Sequence, residues 1–246
     1  MKTHLKYKFF SYHLALSLLI GLIIILIVFL IWYPAPLATA TGVTHLFLMM
    51  LGIDMVIGPI LGLIVYKDNL KVFKRDLSFI CIVQVIAMGY GVYTIAQGRP
   101  VWLVYSVDRF ELIRNNELIY KNSDKIQKEY KYPSWFGPIV VGSQLNVDSK
   151  VRNNEMFEDI LGGISIAQKP QYYTDFKEVN LDLQKHIQDI KLLFQFNDTN
   201  LVQNVLKKHP DADSFVPLKA NEVDMTVLLH KHTGRIIAIV NLRPWK

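Results

Sequence analysis

Among the residues able to do chemistry, Asp54 is the one most at odds with its surroundings. It lies in the apolar run GIDMVIGPILG, residues 52–62, which also holds Pro59. A carboxylate near mid-membrane costs about 3 kcal/mol on insertion scales, less if it is protonated or hydrogen-bonded. On a helix Asp54, Gly58 and Gly62 stand at i, i+4 and i+8 and share one stripe. Gly58 and Gly62 make a GxxxG step, and small residues at that spacing let a second helix come close. Pro59 has no N–H, so the carbonyl of Met55 loses its usual partner and the helix can kink. A second apolar segment carries Gln84, Ala87, Gly91 and Thr94 on one small or polar face, with Tyr90 at its edge. Counting from the inner ends of the two segments puts Asp54 and Tyr90 at similar depth. The expected contact is therefore Asp54 with Tyr90, or with Gln84 as second choice. Two occupants stay open for the stripe: the protein's own bundle, or a transmembrane helix from a partner.

The remaining chemistry-bearing residues point away from catalysis. There is no P-loop, G-x-S-x-G, H-E-x-x-H or kinase signature. His230 and His232 would share a strand face, with Asp224 nearby, but two histidines at a hairpin read first as polar turn residues. Glu158 and Asp159 are adjacent on an expected helix and point apart. Tyr172 and Tyr173 read as packing residues, and His186 and His209 as surface or helix-end residues. Cys81, the only cysteine, reads as a small apolar packing residue. No catalytic residue, metal site or cofactor is expected.

These residues sit in a chain of 246 residues that is 51% hydrophobic, with a mean hydropathy of +0.23. The apolar residues are concentrated at the front. Residues 12–33 and 77–97 contain no formal charge, and residues 43–66 contain only Asp54. Each segment is long enough to cross a bilayer core of about 30 Å as a helix. The first reads as an uncleaved signal anchor. Lys2, Lys6 and Lys8 precede it, and Lys67, Lys71, Lys74 and Arg75 separate the second and third segments, whereas residues 34–42 carry no charge. The positive-inside rule then puts the N-terminus in the cytoplasm and everything after Gln97 outside it. From Gly98 onward 20 basic residues face 18 acidic ones, so most of the net +6 is a topology signal and not a nucleic-acid footprint. Phe9, Phe10, Tyr12, Trp32, Tyr33, Tyr66 and Trp102 flank the segments as interfacial aromatics do.

The expected organisation is a membrane domain over residues 1–97 and a periplasmic α+β domain with antiparallel strands over residues 98–246. PVWLVYSVDRFELI reads as one or two strands, and GPIVVGSQL as another. NNEMFEDILGG reads as a short helix. Leu183, Ile187, Ile190 and Phe194 recur at i, i+4, i+7 and i+11 and predict a helix. DTNLVQNVLKKHP predicts another, and MTVLLHKHTGRIIAIVNLRPW two strands around a polar turn.

SYHLALSLLI, WYPAPLA, GIDMVIGPILGLIVY, KVFKRDL, GYGVYTIAQGRPVWLVYSVDRFELI and the terminal LLHKHTGRIIAIVNLRPW together resemble the type IV pilin accessory proteins of the TfpX/TfpZ group. The resemblance covers the membrane part and the end of the second domain, with Arg243, Pro244 and Trp245 closing it. It implies a non-enzymatic protein of the bacterial inner membrane that assists one type IV major pilin, with the lipid bilayer and that pilin as partners. It brings no site residues with it. From the residues alone, Asp54, Gly58, Pro59, Gly62, Gln84, Tyr90 and Gly91 are the expected bundle or partner-helix contacts. The competing reading is a membrane-tethered periplasmic sensor or ligand-binding protein.

Overall fold

A computed structural model describes residues 2–66, 70–120, 123–144 and 163–246. The chain divides into two compact units. The first comprises Met1–Ile31 and Val43–Gln97, and the second Trp32–Gly42 and Gly98–Lys246.

The first unit is helical. Helix α1 (Lys2–Leu26) runs into a π-helical stretch, Ile27–Trp32. Helices α3 (Val43–Ile64) and α4 (Leu70–Gln97) follow. Three helical segments, Phe10–Trp32, Val43–Ile64 and Lys71–Gln97, are long and apolar enough to cross a membrane. Their outward faces are rows of Leu, Ile and Val (Leu22, Leu46, Val85 and Ile86 are all exposed). Side chains of this kind need an apolar surrounding. Helix α3 packs against α1 on one side and α4 on the other.

The second unit is built on an eight-stranded sheet in the order β4-β3-β1-β2-β6-β7-β8, with β5 beside β6. The strands are β1 (Pro100–Ser106), β2 (Arg109–Arg114), β3 (Ile139–Ser143), β4 (Tyr173–Thr174), β5 (Gln188–Asp189), β6 (Ser214–Lys219), β7 (Met225–His230) and β8 (Arg235–Val240). Alternation along β1 sorts its side chains. Leu103 and Tyr105 enter a core with Phe110, Val216, Leu218 and Leu229, while Trp102 and Val104 enter another with Tyr130, Val141 and Tyr173. All seven β1 residues are buried, as a central strand covered on both faces requires. A third cluster, around Leu193, Val202, Phe215 and Leu228, packs α6 (Leu193–Phe196) and α7 (Thr199–Lys208) on the sheet. Asp198 caps α7 by accepting from Asn200 N at 2.9 Å and Leu201 N at 3.1 Å.

The sheet is mixed, which corrects the antiparallel expectation. The β1–β2, β3–β4, β5–β6, β6–β7 and β7–β8 pairs are antiparallel, but β1–β3 and β2–β6 are parallel. Tight hairpins enforce antiparallel neighbours. The long connections after β2 let the chain re-enter on either side of the β1–β2 hairpin in the parallel sense. A second correction concerns the stripe from Leu183 to Phe194. Helix α5 (Asn180–His186) stops at Ile187, which is extended. Gln188 and Asp189 then pair with Phe215 and Ser214 of β6, and Asp189 caps the next turn by accepting from Lys191 N at 2.8 Å. The apolar spacing survives because Leu183 serves one core, and Ile190 and Phe194 another. The polar run after β2 forms 3-10 turns at Asn115–Glu117, Ser123–Lys125 and Lys128–Tyr130. The expected helix in NNEMFEDILGG falls almost entirely outside the described residues.

The segment between the first two apolar helices belongs to the sheet unit. Its single turn α2 (Leu37–Ala40) follows two prolines and is closed by Thr41, whose hydroxyl donates to Leu37 O at 3.0 Å. Leu37 and Ala40 are buried in the core that contains Leu103 and Tyr105. The Ala40 carbonyl accepts from Glu222 N at 3.0 Å and Val223 N at 3.2 Å. Gly42 leaves this turn at φ +70°, a value that suits glycine, with the Glu222 side chain against it.

Candidate functional site

Of the residues singled out from the sequence, Asp54, Gly58, Gln84 and Gly91 meet between α3 and α4, within the helical unit. Gly58, Pro59 and Gly62 are buried, and Asp54 is half-buried. Side chains there are short by necessity. A Cβ on Gly58 would collide with the amide of Gln84, and one on Gly91 with the sulfur of Met50. These glycines set how closely α3 and α4 approach. On the other side of α3, a Cβ on Gly21 of α1 would collide with Met55. Helix α3 continues through Pro59 to Ile64.

Gln84 is the polar centre of this packing. Its Nε2 donates to the main-chain carbonyl of Asp54 at 3.4 Å. This bond ties α4 to the main chain of α3. Tyr90 does not take the expected place. It is 73% exposed, while its own carbonyl accepts from Thr94 Oγ1 at 2.9 Å. Depth counting ignores rotation. Tyr90 is six residues after Gln84, about a third of a turn away from the Gln84–Gly91 face at roughly 100° per residue. The Asp54 carboxylate has no hydrogen-bond partner among the described residues. It lines an apolar groove of about 260 Å³ whose walls include Ile53, Ile57 and Leu61 of α3 and Phe79 and Val83 of α4. Only Asp54, Gly58 and Gln84 interrupt the hydrocarbon lining with polar or bare-backbone character.

Gly21, Met50 and Met55 were not singled out from the sequence. Gly21 is the one glycine in residues 12–33, so it carried a signal. The two methionines did not, because a flexible thioether fills gaps wherever they occur.

In the sheet unit the other candidates among the described residues are placed as follows. His230 and His232 lie 6.1 Å apart, ring to ring, and no group of three or more His, Cys, Asp or Glu side chains comes together among the described residues. Asp224 is occupied otherwise: it accepts from Ala220 N at 2.9 Å and from Trp245 Nε1 at 2.8 Å. Arg243 donates to the Asp224 carbonyl, and Asn197 exchanges two hydrogen bonds with the Arg243 main chain, at 2.7 and 2.9 Å. The terminal Arg-Pro-Trp is therefore a clasp that holds the chain end to the β6–β7 turn. Tyr173 is buried against Trp102 and Tyr130 with centroids 5.5 and 5.9 Å away. His186 closes α5, its Nδ1 3.0 Å from Asp182 O and 3.1 Å from the Tyr105 hydroxyl.

Tyr33 and Arg99, where the chain enters and re-enters the sheet unit, are both almost fully buried. Burial pushes the Tyr33 phenol well above the ordinary tyrosine range, against the opposing pull of Arg114 and Arg99. Burial likewise lowers Arg99, while Tyr33 and Tyr120 act in the opposite direction.

The profile of the family described as fimbrial assembly protein FimB matches residues 2–42. The fimbrial assembly protein of Dichelobacter nodosus serogroup I is 26% identical over 243 residues, 94% of this chain and 93% of that protein. Its serogroup E1 counterpart is 25% identical over the same shares. The fimbrial assembly protein of serogroups C1 and C2 is 32% identical over 114 residues, 46% of this chain and 87% of that protein. No solved structure matches. The chain belongs to the fimbrial assembly protein family.

Proposed function

We propose that this protein acts in pilus biogenesis as a non-enzymatic, chaperone-like inner-membrane factor that assists the assembly or dynamics of one type IV major pilin, in the manner of the TfpX/TfpZ group. In this reading α1, α3 and α4 span the inner membrane with the N-terminus in the cytoplasm, because Lys2, Lys6, Lys8, Lys71, Lys74 and Arg75 all lie on one side. The sheet unit is then periplasmic.

The observation that carries the proposal is the open groove between α3 and α4. Three helices arranged with α3 in the middle leave this groove unfilled, and its lining is hydrocarbon apart from Asp54, Gly58 and Gln84. A pilin awaiting assembly presents an apolar N-terminal helix in the same bilayer and a head outside it. The groove accepts the helix against its walls of Ile53, Ile57, Leu61, Phe79 and Val83, and the Asp54 carboxylate meets a polar or charged group on it. The sheet unit faces the head.

A crosslinking scan tests this. Photoreactive residues are placed in turn at Ile53, Ile57, Leu61, Phe79 and Val83, with the cognate pilin co-expressed. Adducts with the pilin at these positions, and none at Leu46 on the outward face of α3, are the expected result. No pilin adduct at any groove position overturns the reading. Deletion of the protein, followed by counts of surface pili and of pilin level, separates a defect in assembly from one in pilin stability.

A further inference from the structure

One surface of the sheet unit is unlike the rest. In KYPSWFGPI, residues 131–139, Tyr132 is 77% exposed, Trp135 54% and Phe136 86%. Ile139 at the end of the loop is exposed as well. Contiguous exposed aromatics of this kind mark a contact surface. The loop is built to present them. Pro133 and Pro138 stiffen its two arms, the Ser134 hydroxyl accepts from Phe136 N at 2.9 Å, and Gly137 turns the chain at φ +90°.

The base of the loop is fixed to two particular residues. The Trp135 ring lies 6.2 Å from the ring of Trp32, and the Arg99 guanidinium stacks over it at 3.9 Å. Arg99 also donates to the Ser134 carbonyl at 3.4 Å. Trp32 is the last residue of the first apolar segment, and Arg99 follows the last residue of the third by two. Both belong to the sheet unit. The loop is therefore held at the points where the chain leaves its apolar helices, and its exposed tip combines an indole, a phenol and a phenyl ring. Lys131 lies beside Tyr132, 5.8 Å from its ring. Aromatic rings with a cationic neighbour are the chemistry of the headgroup layer.

We propose that residues 132–139 form an interfacial anchor, with Trp135 and Phe136 inserted into the headgroup–acyl boundary of the bilayer that α1, α3 and α4 span. The anchor adds a non-covalent attachment to the three covalent ones, at Ile31–Trp32, Gly42–Val43 and Gln97–Gly98. The inference rests on reading the three apolar helices as spans, and the controls below separate the two claims.

The test is site-directed spin labelling of the full chain reconstituted in phospholipid vesicles. Cys81→Ala removes the native thiol, and single cysteines are introduced as Phe136→Cys, Leu22→Cys on the outward face of α1, and Lys208→Cys at the end of α7. The readout is the ratio of collision rates with oxygen, which partitions into lipid, and with a water-soluble nickel chelate. The expected ratio at position 136 is several-fold above that at 208 and in the direction of that at 22. A lipid-like value at 22 with an aqueous value at 136 overturns the anchor and leaves the spans intact. Aqueous values at both 22 and 136 overturn both claims. Protection at 136 that appears only when pilin is added assigns the loop to a protein partner and also overturns the anchor.

Discussion

Leu37 belongs by sequence to a short connection between two apolar helices, and by structure to the core of the sheet unit. Leu37→Ala should therefore destabilise a unit whose other residues begin at Gly98. Leu37 is 3% exposed and packs in the cluster that contains Leu103, Tyr105, Phe110 and Leu183. Truncating a leucine in such a site costs about 2–5 kcal/mol, the lost transfer energy plus a cavity. A domain of this size shifts by about 2–4 °C per kcal/mol, so about 3 kcal/mol lowers its midpoint by roughly 6–12 °C. Intrinsic fluorescence is a selective assay, because Trp32, Trp102, Trp135 and Trp245 all lie in the sheet unit. The full chain in micelles is heated, and the tryptophan transition is compared with that of Leu46→Ala, a truncation 62% exposed on α3. A Leu37→Ala midpoint no lower than that of Leu46→Ala would refute the assignment of the connection to the core.

Gly58→Ala and Gln84→Ala should each weaken the helical unit by removing the same Gln84–Asp54 hydrogen bond. Within membranes such a bond is worth about 0.6 kcal/mol and at most about 1.7. The double variant should cost less than the sum of the two by more than the ~0.5 kcal/mol scatter of independent sites, measured by steric-trap unfolding in bicelles, and simple additivity counts against the contact. The sheet unit should lose stability in alkali. Burial raises the pKa of Tyr33, Tyr105 and Tyr173 and so disfavours their ionisation, with Asp182 and Asp108 adding to the effect at Tyr105. A raised folded-state value leaves this stability intact below the unfolded tyrosine value of about 10 and removes it as pH rises beyond that point. Phenolate absorbance and tryptophan fluorescence should therefore show a shared cooperative step, and a phenolate titration that runs to completion with the fluorescence unchanged would contradict it.

The apolar helices were legible because length and lack of charge suffice to define them, and the β1–β2 and β7–β8 hairpins because their alternation and polar turns are local. Strand direction was not legible. Whether β3 lies parallel or antiparallel to β1 depends on contacts across long connections that leave no periodic trace. The stripe from Leu183 to Phe194 shows how a regular spacing can mislead: it fits one helix, yet its residues are divided between two cores by a two-residue strand. Of the candidate site, Gly58, Gly91 and Gln84 were readable because small and polar residues are conspicuous among Leu and Ile. The Tyr90 placement failed because a count of residues gives depth without rotation. The docking of Leu37 and Ala40 had no local signature, since WYPAPLA reads equally well as a connection.

The Ala40 carbonyl bonds residues near the other end of the chain, and this has a consequence for synthesis. Leu37 and Ala40 are translated early and reach their partners Glu222 and Val223 only when almost all of the protein exists. On the proposed topology residues 34–42 would meanwhile be tethered at both ends by inserted helices, which would lower the entropy lost when the late strands close over them. On the proposed topology the sheet completes only if the first two helices have inserted in the correct sense. If the second helix fails to insert, residues 34–42 are no longer held in place for β6 and β7, and the sheet keeps an open core that proteases recognise. On that topology the connection would work as a checkpoint, the finished sheet reporting that the membrane part was threaded correctly.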